Sequence, residues 1–433
     1  MSNLNILIVT YDWPPRNSIA VHRPYAWAKY WSRSGCKVTV LTAEKCVYDE
    51  PLDLEIPELD GVKVVEVPYR ASLRGQSATV KKSFKRTVLE FVKKHSAFAR
   101  KLLGLNLDIR DAWAKKAKKV ALVLHATEGF DVVVSSYGPR ACHFIGCAIK
   151  ESDPYIFWVA DYRDMWSIRH NSGLGGRCKR KEHKLEKRVV KEANHITTVS
   201  EPLVVQLRKF LNKDVSLVFN GYDLDLSVVK ERLELARIAV PDRGPLKIVY
   251  TGMIYPGWRD PSPLFEAVNE LAKEGNISLS QIHIDFFGKR QPGLQKIVSR
   301  FNAESYTTIH GHVTRQKALE EQADADLLLL LESGDEAAKG VLTGKVFEYM
   351  VSGKPVLSLG SKQDSAIGQL INETGIGIVC EQDLQRIKKC LFDLLCGGKR
   401  EYFSPKLDKI KAYGREFQSR ELLSMIDRQI LDD

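Results

Sequence analysis

The chain has 433 residues, 44% of them hydrophobic and 27% charged, the balance of a globular protein too long for one core, so two domains are expected. Its formal net charge of +11 suits a polyanion or an anionic membrane surface as partner and says nothing of fold. The eight cysteines form no C-x-x-C pair, which speaks against a zinc site and for free thiols in a reducing cytoplasm.

The N-terminal stretch MSNLNILIVTYDWPP lacks a basic start, and Asp12 with the following prolines cuts its apolar run short, so it does not read as a signal peptide. No segment approaches the roughly 18 apolar residues of a spanning helix. Strand-like runs open with 5–11 and continue at 37–43, 131–137, 155–161, 195–200 and 216–221. They are apolar almost throughout, as parallel strands buried on both faces must be, and helical stretches separate them. A polar segment at 223–244 ending in PDRGP reads as a linker. The pattern restarts at 246–252, 282–288, 307–313, 325–332, 355–360 and 375–380. The expected fold class is α/β, with two Rossmann-like domains facing a cleft: 1–222, then 245–405, with a last helix in 406–433 crossing back to the first domain. Ligands of such open sheets sit at the C-terminal ends of the strands.

The segment 74–105 departs from the sheet pattern. Phe84, Val88, Phe91, Phe98, Leu102 and Leu105 fall on one helical face, while Lys81, Lys82, Lys85, Arg86, Lys93, Lys94, Arg100 and Lys101 lie mostly elsewhere. Against Glu90 alone, these eight cations give +7 over 81–101. Such a helix can lie on an anionic leaflet; a helix packed on its own domain with a solvated basic face is the equal alternative.

Near the C-terminal end, TGKVFEYMVSGKPVLSLG starts a helix on Thr343, Gly344 and Lys345 and carries Glu348 one turn later. A helix N-terminus presents unpaired N–H groups and a partial positive charge, Gly344 leaves room for a phosphate, and Lys345 adds a full charge. Glu348 then suits the hydroxyls of a ribose. A capped surface helix with an acid in its first turn explains the same residues equally well.

GKVFEYMVSGKPVL resembles the donor-binding segment of the family-four glycosyltransferases, which have the GT-B fold. AWAKYWSRSGCKVTVLT, WVADYRDMW, ANHITTVSEPL, VFNGYDLD and YTGMIYPGWRDPSPLFEAV are similar to other stretches of that family, in the same order and spacing. The WVADYRDMW stretch resembles a bacterial polysaccharide-synthesis branch. The resemblance implies transfer of a sugar from a nucleotide-diphosphate donor to an acceptor hydroxyl, with retention of configuration, no metal ion and no cofactor. It places the donor mainly on the C-terminal domain and a lipid-linked or saccharide acceptor mainly on the N-terminal one.

Residue by residue, the resemblance implies that Gly252 begins a loop under the diphosphate and that Arg259 supplies charge to it. Met253 stands where the family commonly has a first cation, leaving Lys345 as the second. Glu348 corresponds to the second acid of the family's E-x7-E pattern. Gly340 stands where the first belongs, so Asp335 or Glu336 is the expected replacement beside the donor sugar. His312 and Val313 fall where the base is contacted through the backbone. Asp161 ends a strand where relatives place a His beside the reacting sugar, and Arg163 and Asp164 follow, the latter readable as an internal ion pair. Arg23 is expected to face the cleft.

The D-x-D pairs Asp324/Asp326 and Asp223/Asp225 read as turn and strand-start chemistry rather than as metal ligands. A cytoplasmic enzyme, peripheral on the inner face of the plasma membrane and acting in cell-surface polysaccharide or glycolipid synthesis, accounts for both the donor segment and the basic one. The alternatives are a nucleotide-sugar epimerase of the same fold and a basic nucleic-acid-binding protein. The latter lacks a recognisable reading module, so no nucleic-acid partner is expected.

Overall fold

The computed structural model describes residues 3–45, 51–68, 108, 110–169, 176–238, 244–255, 258–288, 292–395 and 402–432. The basic segment 74–105, with Lys81, Lys82, Lys85, Arg86, Lys93 and Lys94, lies outside the described residues. The chain divides into two compact units, one of residues 1–199, 203–220 and 418–433 and the other of 200–202 and 221–417.

The first unit carries a parallel sheet of seven strands: β1 (Asn5–Val9), β2 (Lys37–Ala43), β3 (Val62–Val67), β4 (Val132–Ser136), β5 (Phe157–Tyr162), β6 (His195–Thr198) and β7 (Val215–Leu217). Their order is β3-β2-β1-β4-β5-β6-β7. Central strands such as β1 and β4 are buried on both faces, which is why their sequences NILIV and VVVSS show no polar alternation. One face packs Leu7, Trp113, Ile145 and Trp158, and the other packs Ile6, Trp27, Trp31 and Val132. The second core also takes Leu422, Leu423 and Ile426 from the C-terminal helix Arg415–Asp432. That helix is anchored by Trp31 Nε1, which donates to the Ser419 carbonyl at 2.8 Å.

Strand β3 is absent from the sequence reading. It is an edge strand, and its sequence VKVVEV is mostly exposed or half-buried, so it lacks the continuous apolar run that marks the central strands.

The second unit carries six parallel strands: β8 (Leu246–Thr251), β9 (Ile282–Phe287), β10 (Thr307–Gly311), β11 (Leu327–Leu331), β12 (Val356–Leu359) and β13 (Gly377–Glu381), in the order β10-β9-β8-β11-β12-β13. The stretch read as a linker at 223–244 contains the helix Leu226–Ile238, which belongs to this unit and buries Val229 and Leu233. In both sheets the chain winds outward from a central strand and then reverses, between β1 and β4 in one and between β8 and β11 in the other. Each reversal opens a crevice at the carboxyl ends of the two strands, the standard ligand position of open α/β sheets.

Candidate functional site

The reversal in the second sheet is flanked by Gly252, directly after β8, and Glu332, directly after β11. Gly252 has φ 137° and Gly288, after β9, has φ 149°, a backbone region that side-chain-bearing residues rarely adopt. The Gly252 amide donates to the Phe287 carbonyl at 2.6 Å, and the Gly288 amide donates to the Gly311 carbonyl at 2.7 Å. A Cβ at Gly252 would collide with Lys345 Nζ, and one at Gly288 would collide with the Gly252 carbonyl. The glycines therefore let three strand ends and the Lys345 side chain close on one point.

Lys345 Nζ donates to the Tyr250 hydroxyl at 3.0 Å and stands 4.5 Å from the centroid of that ring. Arg259 lies with Cζ 5.2 Å from the Tyr255 ring centroid, and its Nη2 is 3.6 Å from Glu332 Oε1. The Glu332 side chain is 10% exposed, and its Oε1, like Thr343 Oγ1, is buried without a hydrogen bond. Burial, reinforced by the nearby Arg259 guanidinium, pulls the Lys345 ammonium down to about 7, with Glu332 and Glu348 opposing the drop. Burial likewise pushes the Glu332 carboxyl up, and the two cations hold it back. The two cations at this strand reversal make a pre-charged place for an anion, with the Glu332 carboxylate offsetting part of their charge.

The helix Gly344–Met350 begins where the sequence predicts, after an extended Thr343 whose hydroxyl makes no cap bond. The Tyr349 hydroxyl fixes this helix against β8: it lies 3.2 Å from the Thr251 amide, and Gln322 donates to Thr251 Oγ1 at 2.9 Å. Glu348 is partly exposed and accepts from Arg315 Nη1 at 2.6 Å, so one of its oxygens is already charge-paired. Neither Arg315 nor Glu332 stands out in the sequence as a site residue. Glu332 ends an apolar run and reads as its last residue; Arg315 is 33 positions from its partner.

Val313 is half-buried and His312 is exposed just beyond β10. Glu336, expected beside the donor sugar, is 66% exposed and held by Lys339 and Lys362. Asp335 instead lines a cavity of about 370 Å³ at the tips of β11, β12 and β13, with Trp258, Asp260, Glu332 and Lys362.

In the first unit, the expectation that Asp161 meets the reacting sugar does not fit its surroundings. Asp161 is fully buried, and both oxygens are taken: Arg23 Nη2 at 2.6 Å, Ser136 Oγ at 2.8 Å and Thr197 Oγ1 at 2.8 Å. Arg23, expected to face the cleft, is 3% exposed. It ties Asp161 to the carbonyls of Val218 and Phe219 and lies over the Trp27 ring. This is a buried, saturated ion pair that fixes β4, β5 and β6 to the first helix, with no lone pair left for a substrate. Arg163 packs against Gly138 and pairs with Asp164 at 3.0 Å. Asp324 and Asp326 hold the start of β8: Asp324 pairs with Lys247 Nζ at 2.7 Å and Asp326 accepts from the Lys247 amide at 2.9 Å.

No family model matches the sequence, and no curated protein matches it. Solved structures do. Sucrose-phosphate synthase from Thermosynechococcus elongatus superposes with a TM-score of 0.61 at 12% identity, over 99% of this chain and 100% of that one. The chain has the GT-B fold. A glycosyltransferase from Rickettsia africae ESF-5 gives 0.60 at 14% identity over the whole of both chains. A protein from Listeria monocytogenes assigned as a UDP-N-acetylglucosamine 2-epimerase gives 0.50 at 12% identity, over 100% of this chain and 98% of that one. At such identities the likeness speaks for the GT-B architecture alone.

Proposed function

We propose that this GT-B protein is a glycosyltransferase whose second unit binds the diphosphate of a nucleotide-sugar donor at the β8–β11 reversal. The observation that carries the reading is the convergence of Lys345 on Gly252, with Arg259 and Glu332 beside it. The bare Gly252 backbone lets a pyrophosphate approach, and Lys345 and Arg259 balance its charge. They also stabilise the charge that grows on the leaving phosphate as the glycosidic bond breaks, work that these side chains supply without a metal ion. Loss of one such contact costs on the order of 3–4 kcal/mol of barrier. Glu348, through the oxygen that Arg315 does not occupy, accepts from the ribose hydroxyls.

In this reading the acceptor is lipid-linked or saccharide, the configuration at the transferred carbon is retained, and the enzyme works at the cytoplasmic face of a membrane in surface polysaccharide or glycolipid synthesis. The membrane part rests on the basic composition of 81–101, and the acceptor class follows from it. No described helix is long and apolar enough to cross a membrane. Product analysis separates transferase from epimerase. Incubation of the whole chain with nucleotide sugars and a lipid extract should yield a glycosylated lipid by mass spectrometry, and an isomerised donor without acceptor consumption would favour the epimerase reading.

A further inference from the structure

A basic surface lies in the first unit, within the described residues. The helix Gly176–Val189 reads GRCKRKEHKLEKRV, a mixed-charge sequence. In the fold its charges are sorted. Apart from Gly176, every exposed residue of this helix is a lysine or an arginine. Both of its acids are buried: Glu182 accepts from Arg140 Nη1 at 2.7 Å and from Trp166 Nε1 at 2.8 Å, and Glu186 accepts from the Ser167 amide at 2.9 Å. The interior thus consumes the negative charge and leaves the outer face uniformly positive.

The same charge continues around the end of the helix. Lys187, Arg188, Lys191 and Lys213 ring a cavity of about 400 Å³ whose other walls are the apolar Val190 and Leu211, with no acid in the lining. Lys213 donates to the Ala193 carbonyl at 2.8 Å; burial pulls its ammonium down, Glu192 opposes the drop, and the crowding of Lys150 and Lys191 adds to it. Lys191 pairs with Glu192 at 3.0 Å, so the cations outnumber the acid beside them rather than standing alone. A neighbouring cavity of about 530 Å³ is lined by Lys150, Pro154, Lys191, Lys213 and the acids Glu151 and Glu192. Tyr155, next to Pro154, is 96% exposed. Like charges held this close repel one another, and an external anion relieves the repulsion.

We propose that this face docks on an anionic phospholipid bilayer, with lipid phosphates entering the cavity ringed by Lys187, Arg188, Lys191 and Lys213. Charge complementarity identifies the occupant's sign. The apolar walls inside the ring and the exposed tyrosine beside it favour a bilayer, because aromatic side chains with a polar tip settle at headgroup depth. The surface deepens the membrane part of the proposed function with a docking face of its own, and it stands or falls apart from the transferase part, since the test reads binding and not sugar transfer.

The test is co-sedimentation of the full chain with vesicles of phosphatidylcholine alone and of phosphatidylcholine with phosphatidylglycerol, at low and high salt. Binding is expected only to the anionic vesicles and should weaken in high salt. The triple variant Arg180→Gln, Lys184→Gln, Arg188→Gln changes exposed side chains only. Its affinity for anionic vesicles should fall on the order of 100-fold, at about fivefold per cation removed. An unchanged melting temperature shows that the fold survives, and the double variant Lys184→Gln, Arg188→Gln, with an expected loss of roughly 25-fold, replaces the triple one if it does not. Unchanged binding by the folded variant overturns the proposal, as does equal binding to neutral vesicles. Tighter binding of the same face to single-stranded RNA than to anionic vesicles at matched salt also overturns it, in favour of a nucleic-acid partner.

Discussion

The Lys345 ammonium is 3.0 Å from the Tyr250 hydroxyl and 4.5 Å from the centroid of the Tyr250 ring, on the strand that ends at Gly252. Buried there, it titrates near 7. The sign of the consequence is fixed. A nucleotide-sugar diphosphate keeps its charge across neutral pH, so it selects the protonated lysine. Binding therefore takes up a proton above pH 7, and affinity should fall up to tenfold per pH unit between about 7 and 9. Calorimetric titration at several pH values measures the slope, and Lys345→Met should flatten it. A slope that survives in Lys345→Met places the titrating group elsewhere.

Glu332 supplies the opposing charge. In Glu332→Gln the carboxylate facing Arg259 and supporting the Lys345 ammonium is gone, so the fall in donor affinity should begin on the order of one pH unit lower. At pH 5, where Lys345 keeps its proton in both proteins, the variant should bind the donor at least as tightly as the wild type, because a negative charge has left an anion site. Weaker binding at every pH, with the profile unmoved, would mean that Glu332 only supports the local packing.

Gly252→Ala tests the approach of backbone to ligand. An added methyl meets Lys345 Nζ, and φ 137° strains any L residue. The expected result is a loss of 1–3 kcal/mol in stability by thermal melt, of the order typical for such backbone strain, and at least tenfold weaker donor binding. Gly61→Ala is the control: it also has positive φ, 75°, but has nothing within contact range of the new atom. It should show the backbone strain and leave donor binding unchanged.

Asp161→Asn separates structural from catalytic roles in the first unit. The substitution leaves the Arg23 guanidinium buried at 3% exposure without its counter-charge, a loss of about 3–5 kcal/mol. Chemical denaturation should show that loss, while donor binding to the second unit is unchanged. Full stability with abolished sugar transfer would return Asp161 to the reaction.

Much of the sheet architecture is legible from the sequence, because doubly buried parallel strands such as β1 and β11 are uninterrupted apolar runs. The edge strand β3 is not, since its Lys63 and Glu66 face solvent and break the run. Lys345 stands out because a helix start suits glycine and positive charge, whereas Gly252 and Arg259 stand out through the resemblance to the glycosyltransferase family. Asp161 stands out for the same reason and is misleading, because its partner Arg23 lies 138 residues away and strand-end position alone does not reveal a filled coordination. Glu332 hides at the end of LLLLLE, where a terminal acid looks like an ordinary strand stop. The excess of cations in Gly176–Val189 is visible in the sequence, with seven Lys and Arg against two Glu, but only burial shows that both glutamates are withdrawn from the surface.

The most direct measurement is calorimetric titration of the whole chain with a panel of nucleotide sugars, repeated for Lys345→Met and Glu348→Ala. One donor should bind the wild type and bind Lys345→Met at least 30-fold more weakly, a difference of about 2 kcal/mol, with Glu348→Ala also weakened. No binding by any nucleotide sugar, or equal affinity in all three proteins, would contradict a diphosphate site at Gly252 and Lys345.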